Sequence, residues 1–157
     1  SKNLESARVA ERQAHSAQAI LGKKFNVPIK IYSEYQDTLS TGSGITLWAI
    51  FSKNKEDIDE NNPIRMGADA LGEHGKRAEI VGEEAAKNLI KEIESKAPVD
   101  RHLADQILPF MALAEKDSKI KIPELTNHAK TNIWVIEQFL PVKFKFNNNI
   151  LECIQKI

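Results

Sequence analysis

Several absences narrow what this chain can be. It has one cysteine in 157 residues, so it cannot form an intramolecular disulfide. A lone Cys153 fits a reducing compartment and a plain place in the final strand. No apolar run approaches the roughly 20 residues of a membrane span, and the opening Ser1-Lys2-Asn3-Leu4-Glu5 is too polar for a signal peptide. The expectation is a cytoplasmic protein without a membrane partner. Charge of one sign is also missing. Lys plus Arg and Asp plus Glu each number 22, which argues against a polyanion-coating protein while leaving room for a local basic patch. The first residue is Ser1 rather than methionine, and a helical pattern begins almost at once, as expected of a piece cut from a longer chain.

Familiar motifs are missing too. A phosphate-binding loop needs Gly, four residues, then Gly-Lys-Ser/Thr. Here Gly75-Lys76 is followed by Arg77, and the first glycine position holds Ala70. Gly67 to Arg77 therefore reads as a glycine-containing turn from strand to helix, whose Lys76 and Arg77 remain candidates for touching a nucleic-acid phosphate. The acidic stretch Glu56 to Asn62 lacks the mid-loop glycine of a calcium-binding EF-hand and reads as a solvated loop. No Cys/His cluster fits structural zinc, and no Gly-x-Ser-x-Gly elbow is present. Arg8, Arg12, Lys23 and Lys24 have acidic neighbours and read as a helix surface.

What is present is globular: 41% hydrophobic and 28% charged residues, enough for one domain or two small ones. The spacing predicts a helix from Asn3 to Leu21, ended by Gly22, with a weak stripe through Leu4, Ala7, Ala10, Ala14, Ala17 and Leu21. Val27 to Tyr35 alternates and predicts a strand. Ile45 to Phe51 is nearly all apolar or β-branched and predicts a central strand. Ser52 to Pro63 is a polar loop, and Ile64 to Ala70 a short strand. Lys76 to Lys96 predicts a helix that Ala97-Pro98 breaks.

A second unit opens at Asp100, a candidate helix cap. Leu103, Ile107, Phe110, Met111 and Ala114 are its predicted buried side, and Pro109 should kink or split the helix. Lys119 to Ile122 alternates as a strand. Thr126 is placed to cap a helix reaching Phe139, with Ile133, Trp134 and Ile136 facing inward. Leu140 to Phe146 and Asn149 to Ile154 predict a hairpin across Asn147-Asn148. The fold class is α+β. A small helix–three-strand–helix domain (residues 1–97) is followed by an α/β unit of helix, strand, helix and β-hairpin (residues 98–157).

Two polar clusters at helix beginnings hold the candidate chemistry. In Thr126-Asn127-His128-Ala129-Lys130-Thr131-Asn132, His128 falls in a first turn, where unpaired N–H groups and a partial positive charge favour an anion and a ring with an available lone pair. Thr131 and Asn132 share its face, and Lys130 can offset phosphate charge. Two readings stand at this level: a nucleophile on phosphorus, or a histidine that caps or packs near a helix start. Pattern alone favours the second. In His102-Leu103-Ala104-Asp105-Gln106, Asp105 can orient a ribose hydroxyl, a metal-bound water or the imidazole. Gln106 offers both donor and acceptor. An exposed helix face is the plainer alternative.

Taken in order, Val99 to Gln106, then Thr126-Asn127-His128 with Thr131-Asn132-Ile133, then Val135-Ile136-Glu137-Gln138-Phe139-Leu140-Pro141-Val142 resemble the RNA 3′-terminal phosphate cyclases, and particularly their archaeal-looking branch. Val9 to Gln13, Gly42-Ser43-Gly44 and Gly67 to Glu73 are similar to the same family. The resemblance implies that residues 1–97 are the family's inserted domain and 98–157 the last repeat of its larger catalytic domain. The N-terminal half of the same protein is then the natural partner. It also implies ATP and an RNA 3′-phosphate end as substrates and a divalent metal, Mg or Mn, although this part shows no convincing metal cage. By the same likeness the covalent nucleophile falls on His128 and the ATP-contacting segment on His102, Leu103, Ala104, Asp105 and Gln106. His102 stands where relatives often carry an aromatic residue. The implied reaction makes a 2′,3′-cyclic phosphodiester through an AMP–histidine intermediate and an RNA-adenylate. The alternatives are a non-catalytic cyclase-like factor in RNA processing or ribosome assembly, or an inactive fragment of the enzyme.

Overall fold

The computed structural model describes residues 1–52 and 64–156; the acidic stretch Glu56 to Asn62 and most of the loop Ser52 to Pro63 lie outside them. The fold is α+β. It divides into two compact units, Ser1–Lys91 and Glu92–Ile157.

In the first unit a short 3-10 turn, Lys2–Leu4, precedes helix α1, Val9–Lys24. The single helix expected from Asn3 is interrupted at Arg8, which adopts a left-handed φ of 50°. The buried face of α1 is Gln13, Ala17 and Leu21, so the i, i+4, i+8 row wins over the alanine stripe. Gln13 is tolerated there because its Nε2 donates to Ser43 Oγ at 3.0 Å, which satisfies a buried polar group. Strands β1 (Gly44–Phe51) and β2 (Ile64–Leu71) pair antiparallel, and α2 (Ala78–Ser95) follows.

Two expectations fail here. Val27 to Tyr35 forms no strand. Pro28 removes a ladder donor, and Val27, Ile31 and Tyr32 remain exposed, so its alternation buries no face. Nor is β1 a central strand. Its sheet has two strands among the described residues, and its burial alternates. Ile45 and Leu47 pack on Ala70, Val81 and Ala85, while Trp48 stays 56% exposed. The turn before α2 uses Gly75 at φ +79°, a conformation open to glycine.

The second unit begins with α3 (Arg101–Gln106) and α4 (Leu108–Leu113). Pro109, near the start of α4, splits the predicted helix at Ile107. The break resets the helical phase. Leu108 and Ala112 therefore join Met111 in the core, and Phe110 and Leu103 turn outward. Strand β3 (Ser118–Lys121) leads to α5 (Asn127–Phe139), then to β4 (Val142–Asn147) and β5 (Ile150–Gln155), in a sheet ordered β3-β5-β4 with antiparallel neighbours. The hairpin turn falls on Asn148 and Asn149, at φ 48° and 61°. Positive φ at both central residues is the type I′ geometry that matches strand twist.

Ala129, Ile133, Ile136 and Leu140 give α5 and its C-cap a 3–4 spaced stripe that meets Ile122, Val142, Leu151 and Cys153. Each fully buried aliphatic side chain there contributes about 1.5–3 kcal/mol. Trp134 was expected inward but lies one position, about 100°, off that stripe and is 65% exposed.

Candidate functional site

The two polar clusters come together through one hydroxyl. Thr126 is the N-cap of α5, and its Oγ1 accepts from the Ala129 N–H at 3.0 Å. The same Oγ1 donates to Asp105 Oδ1 at 2.8 Å and lies 3.1 Å from Oδ2. Thr126 therefore ends the chain's approach to α5 and also fixes the carboxylate of α3. Its capping role is legible in the sequence. Its partner, 21 positions away, carries no local signal.

Helix α3 is itself capped as expected. Asp100 Oδ1 accepts from the N–H groups of His102 at 3.0 Å and Leu103 at 2.8 Å. This six-residue helix would not stand in isolation, so caps and packing place it. Ala104 is 1% exposed and sits in the core beside Ala129; it can offer a ligand only main-chain atoms. The side chains of His102, Leu103 and Gln106 face solvent, and Asp105 is half-buried.

His128 is the second residue of α5 and is exposed, as are Asn127, Lys130, Thr131 and Asn132. The first turn of α5 contains no acidic residue, so its dipole is uncompensated from within and favours an anion. Thr131 Oγ1 donates to the Asn127 carbonyl at 3.0 Å, which engages its proton on the helix backbone. Lys130 Nζ lies 3.5 Å from Asn127 Oδ1. The surface thus presents an exposed imidazole in the first turn of α5, and the N-cap hydroxyl of the same helix holds the Asp105 carboxylate.

Sequence reasoning passed over Glu137, further along α5. Burial raises its pKa, but hydrogen bonds from Lys143 Nζ at 2.6 Å and the Phe144 N–H at 2.8 Å prevail and hold the carboxyl below its ordinary range. It fastens β4 to the helix that presents His128. Cys153 is fully buried, and burial pushes its thiol up, with Asp117 and Glu137 adding to the effect. That matches its reading as a strand residue.

Three basic residues of the first unit singled out in the sequence, Arg12, Lys76 and Arg77, pair with carboxylates. Arg12 makes a bidentate pair with Glu79 at 2.8 and 3.1 Å. Lys76 Nζ is 2.5 Å from Glu84, and Arg77 Nε 3.6 Å from Glu79. No helix among the described residues is long and apolar enough to cross a membrane.

Comparison with known proteins gives the family. A family profile described as RNA 3′-terminal phosphate cyclase matches residues 7–146. The chain belongs to the RNA 3′-terminal phosphate cyclase family. Curated relatives named RNA 3′-terminal phosphate cyclase include one from Thermococcus onnurineus, 45% identical over 144 residues that cover 92% of this chain and 39% of the relative. One from Pyrococcus furiosus is 44% identical over 146 residues, covering 93% of this chain and 39% of the relative. One from Methanosarcina acetivorans is 48% identical over 140 residues, covering 88% and 35%. The chain thus spans about two-fifths of the length of the cyclases it matches. Both polar clusters, α3 and Thr126 to Asn132, fall inside the family match.

Proposed function

We propose that this chain is the nucleophile-bearing part of an ATP-dependent RNA 3′-phosphate cyclase, with His128 as the group that carries AMP. Residues 1–97 are read as an inserted domain and 98–157 as the last repeat of the catalytic domain, which the N-terminal half of the same protein completes. The Thr126 bridge carries the reading: it ties the Asp105 carboxylate to the helix start that presents the histidine.

In the proposed reaction an unprotonated nitrogen of His128 attacks the α-phosphorus of ATP. An N–P bond forms, the α–β phosphoanhydride breaks, pyrophosphate leaves and the ring sheds its proton. An oxygen of the RNA 3′-phosphate then attacks the same phosphorus. The N–P bond breaks, freeing His128 and leaving an RNA-adenylate. Last, the neighbouring 2′-hydroxyl attacks the RNA phosphate and expels AMP, which leaves a 2′,3′-cyclic phosphate. That step requires a ribose end and so selects RNA. The start of α5 and Lys130 offset phosphate charge, while Asp105 and Gln106, with His102 and Leu103 beside them, orient the nucleotide. For the divalent ion that such chemistry calls for, the described residues offer no fitting group of three His, Cys, Asp or Glu side chains, and no proposed step passes through it.

The test is labelling. Full-length protein incubated with α-labelled ATP and a divalent metal should hold the label through an acid-labile, base-stable bond, and His128→Ala should lose it. Label that survives in that variant would sink the assignment. A full-length protein that takes no label would point to a non-catalytic cyclase-like factor. The 157-residue chain alone is expected to take none, because it lacks the rest of the pocket.

A further inference from the structure

Glu92 lies in the last turn of α2 and is 2% exposed. Burying a carboxylate costs several kcal/mol unless it is paired. Its Oε1 is 3.3 Å from Arg101 Nε, and the Arg101 backbone adds a hydrogen bond. Oε2 is buried and has no hydrogen-bond partner among the described residues. A packed apolar side chain would satisfy this position at lower cost, so the charge calls for a role.

The position of Arg101 supplies one. It is the first residue of α3. The chain between it and Glu92 is tightly closed: Ser95 Oγ donates to the Glu92 carbonyl at 2.7 Å and accepts from the Ala97 N–H at 3.0 Å. Lys96 reverses direction at φ 52°, and Ala97 is buried. Asp100 takes the next two N–H groups of α3. The start of this short helix is therefore held on two carboxylates, one of them buried.

We propose that Glu92 is a positioning residue for nucleotide binding: acting through Arg101, it fixes the start of α3 and so the direction in which Asp105 and Gln106 meet ATP. The proposal rests on the reading of α3 as the nucleotide segment. Arg101 favours the ionised form of Glu92; burial opposes it most, and Asp100 and Glu124 add to that opposition. Its carboxyl accordingly titrates above the ordinary range, and acid should release Arg101.

The test uses the full-length protein and a labelled ATP analogue with a methylene between its α and β phosphates, so that binding is read without transfer. Glu92→Gln keeps the size and removes the charge. Its Kd, measured well below the variant's own melting transition, should rise about tenfold, within the loss that a misplaced group gives. The parent should also lose affinity on the acid side in a step that Glu92→Gln lacks, a signature that packing alone would not give. Arg101→Lys keeps the cation without its fork and should weaken binding similarly; it decides the matter if Glu92→Gln does not fold. An unchanged Kd, or a pH dependence of Kd that is the same in Glu92→Gln as in the parent, overturns the proposal. A parent protein that binds no analogue overturns instead the nucleotide reading on which it stands.

Discussion

The hydroxyl of Thr126 stands 2.8 Å from Asp105 Oδ1 while it caps α5 through the Ala129 N–H. One oxygen serves as acceptor for a helix and donor to a carboxylate, so its removal should be felt twice.

Thr126→Val should lose a helix cap, about 1 kcal/mol, and a hydrogen bond to a charged group, about 1.5–3 kcal/mol when the group is well buried. Asp105 is only half-buried, so the expected total is about 1–3 kcal/mol. Hydrogen exchange at the Ala129 amide in the full-length protein reads it directly. Thr126→Ser keeps both bonds and should exchange as the parent does; faster exchange in the serine variant would show that the methyl, not the hydroxyl, holds the helix start.

Gly82 permits the close approach of α1 to α2. A Cβ built there would stand 2.1 Å from the Gln13 carbonyl oxygen and 2.9 Å from its carbon. Backbone cannot give way as a flexible side chain can. Gly82→Ala gains about 1 kcal/mol in helix propensity, but overpacking costs about 1–3 kcal/mol or more, and here the obstacle is main chain. Net loss of stability in the first unit is expected, seen as faster exchange of α1 amides. A variant with slower exchange would show that the two helices separate at little cost.

At the β4–β5 turn, Asn148 and Asn149 both hold positive φ. Asn148→Gly should raise the hairpin's stability by about a few tenths of a kcal/mol. Asn148→Val should lower it by about 1–2 kcal/mol. Denaturant midpoints of the two variants in the full-length protein give the comparison; the same sign for both would exclude a backbone origin.

Glu79 has its carboxyl drawn down to about 2, first by the hydrogen bond from Arg12. A folded pKa below the ordinary 4.5 means that this group supports the fold above the unfolded value and loses that support as pH falls from there towards 2. The stability difference between parent and Glu79→Gln should therefore be full at neutral pH, shrink across that window and vanish below it. As the pair is exposed, raised salt should also reduce the difference. A difference that stays constant with pH would deny the ion pair its role.

The sequence was most legible where one physical rule acts alone. Asp100 and Thr126 cap the helices they precede, Pro109 divides α3 from α4, and the hairpin turns within one residue of its expected place. Misplacement came where tertiary context decides. Val27 to Tyr35 alternates like a strand but has no ladder. Phe110 and Trp134 are apolar yet face outward, because the helical phase is set by Leu108 and Ala112 in one case and by Ala129, Ile133 and Ile136 in the other. At the candidate site both clusters were visible as helix starts. The bond between Asp105 and Thr126 and the burial of Glu92 were not, since neither follows from spacing along one element.

The two outward-facing indoles have a practical consequence. They are the only tryptophans in the chain, and each compact unit owns one: Trp48 on β1, and Trp134 on the helix that presents His128. Replacing either by phenylalanine leaves a single intrinsic fluorophore, so within this chain the emission of one unit can be followed without that of the other.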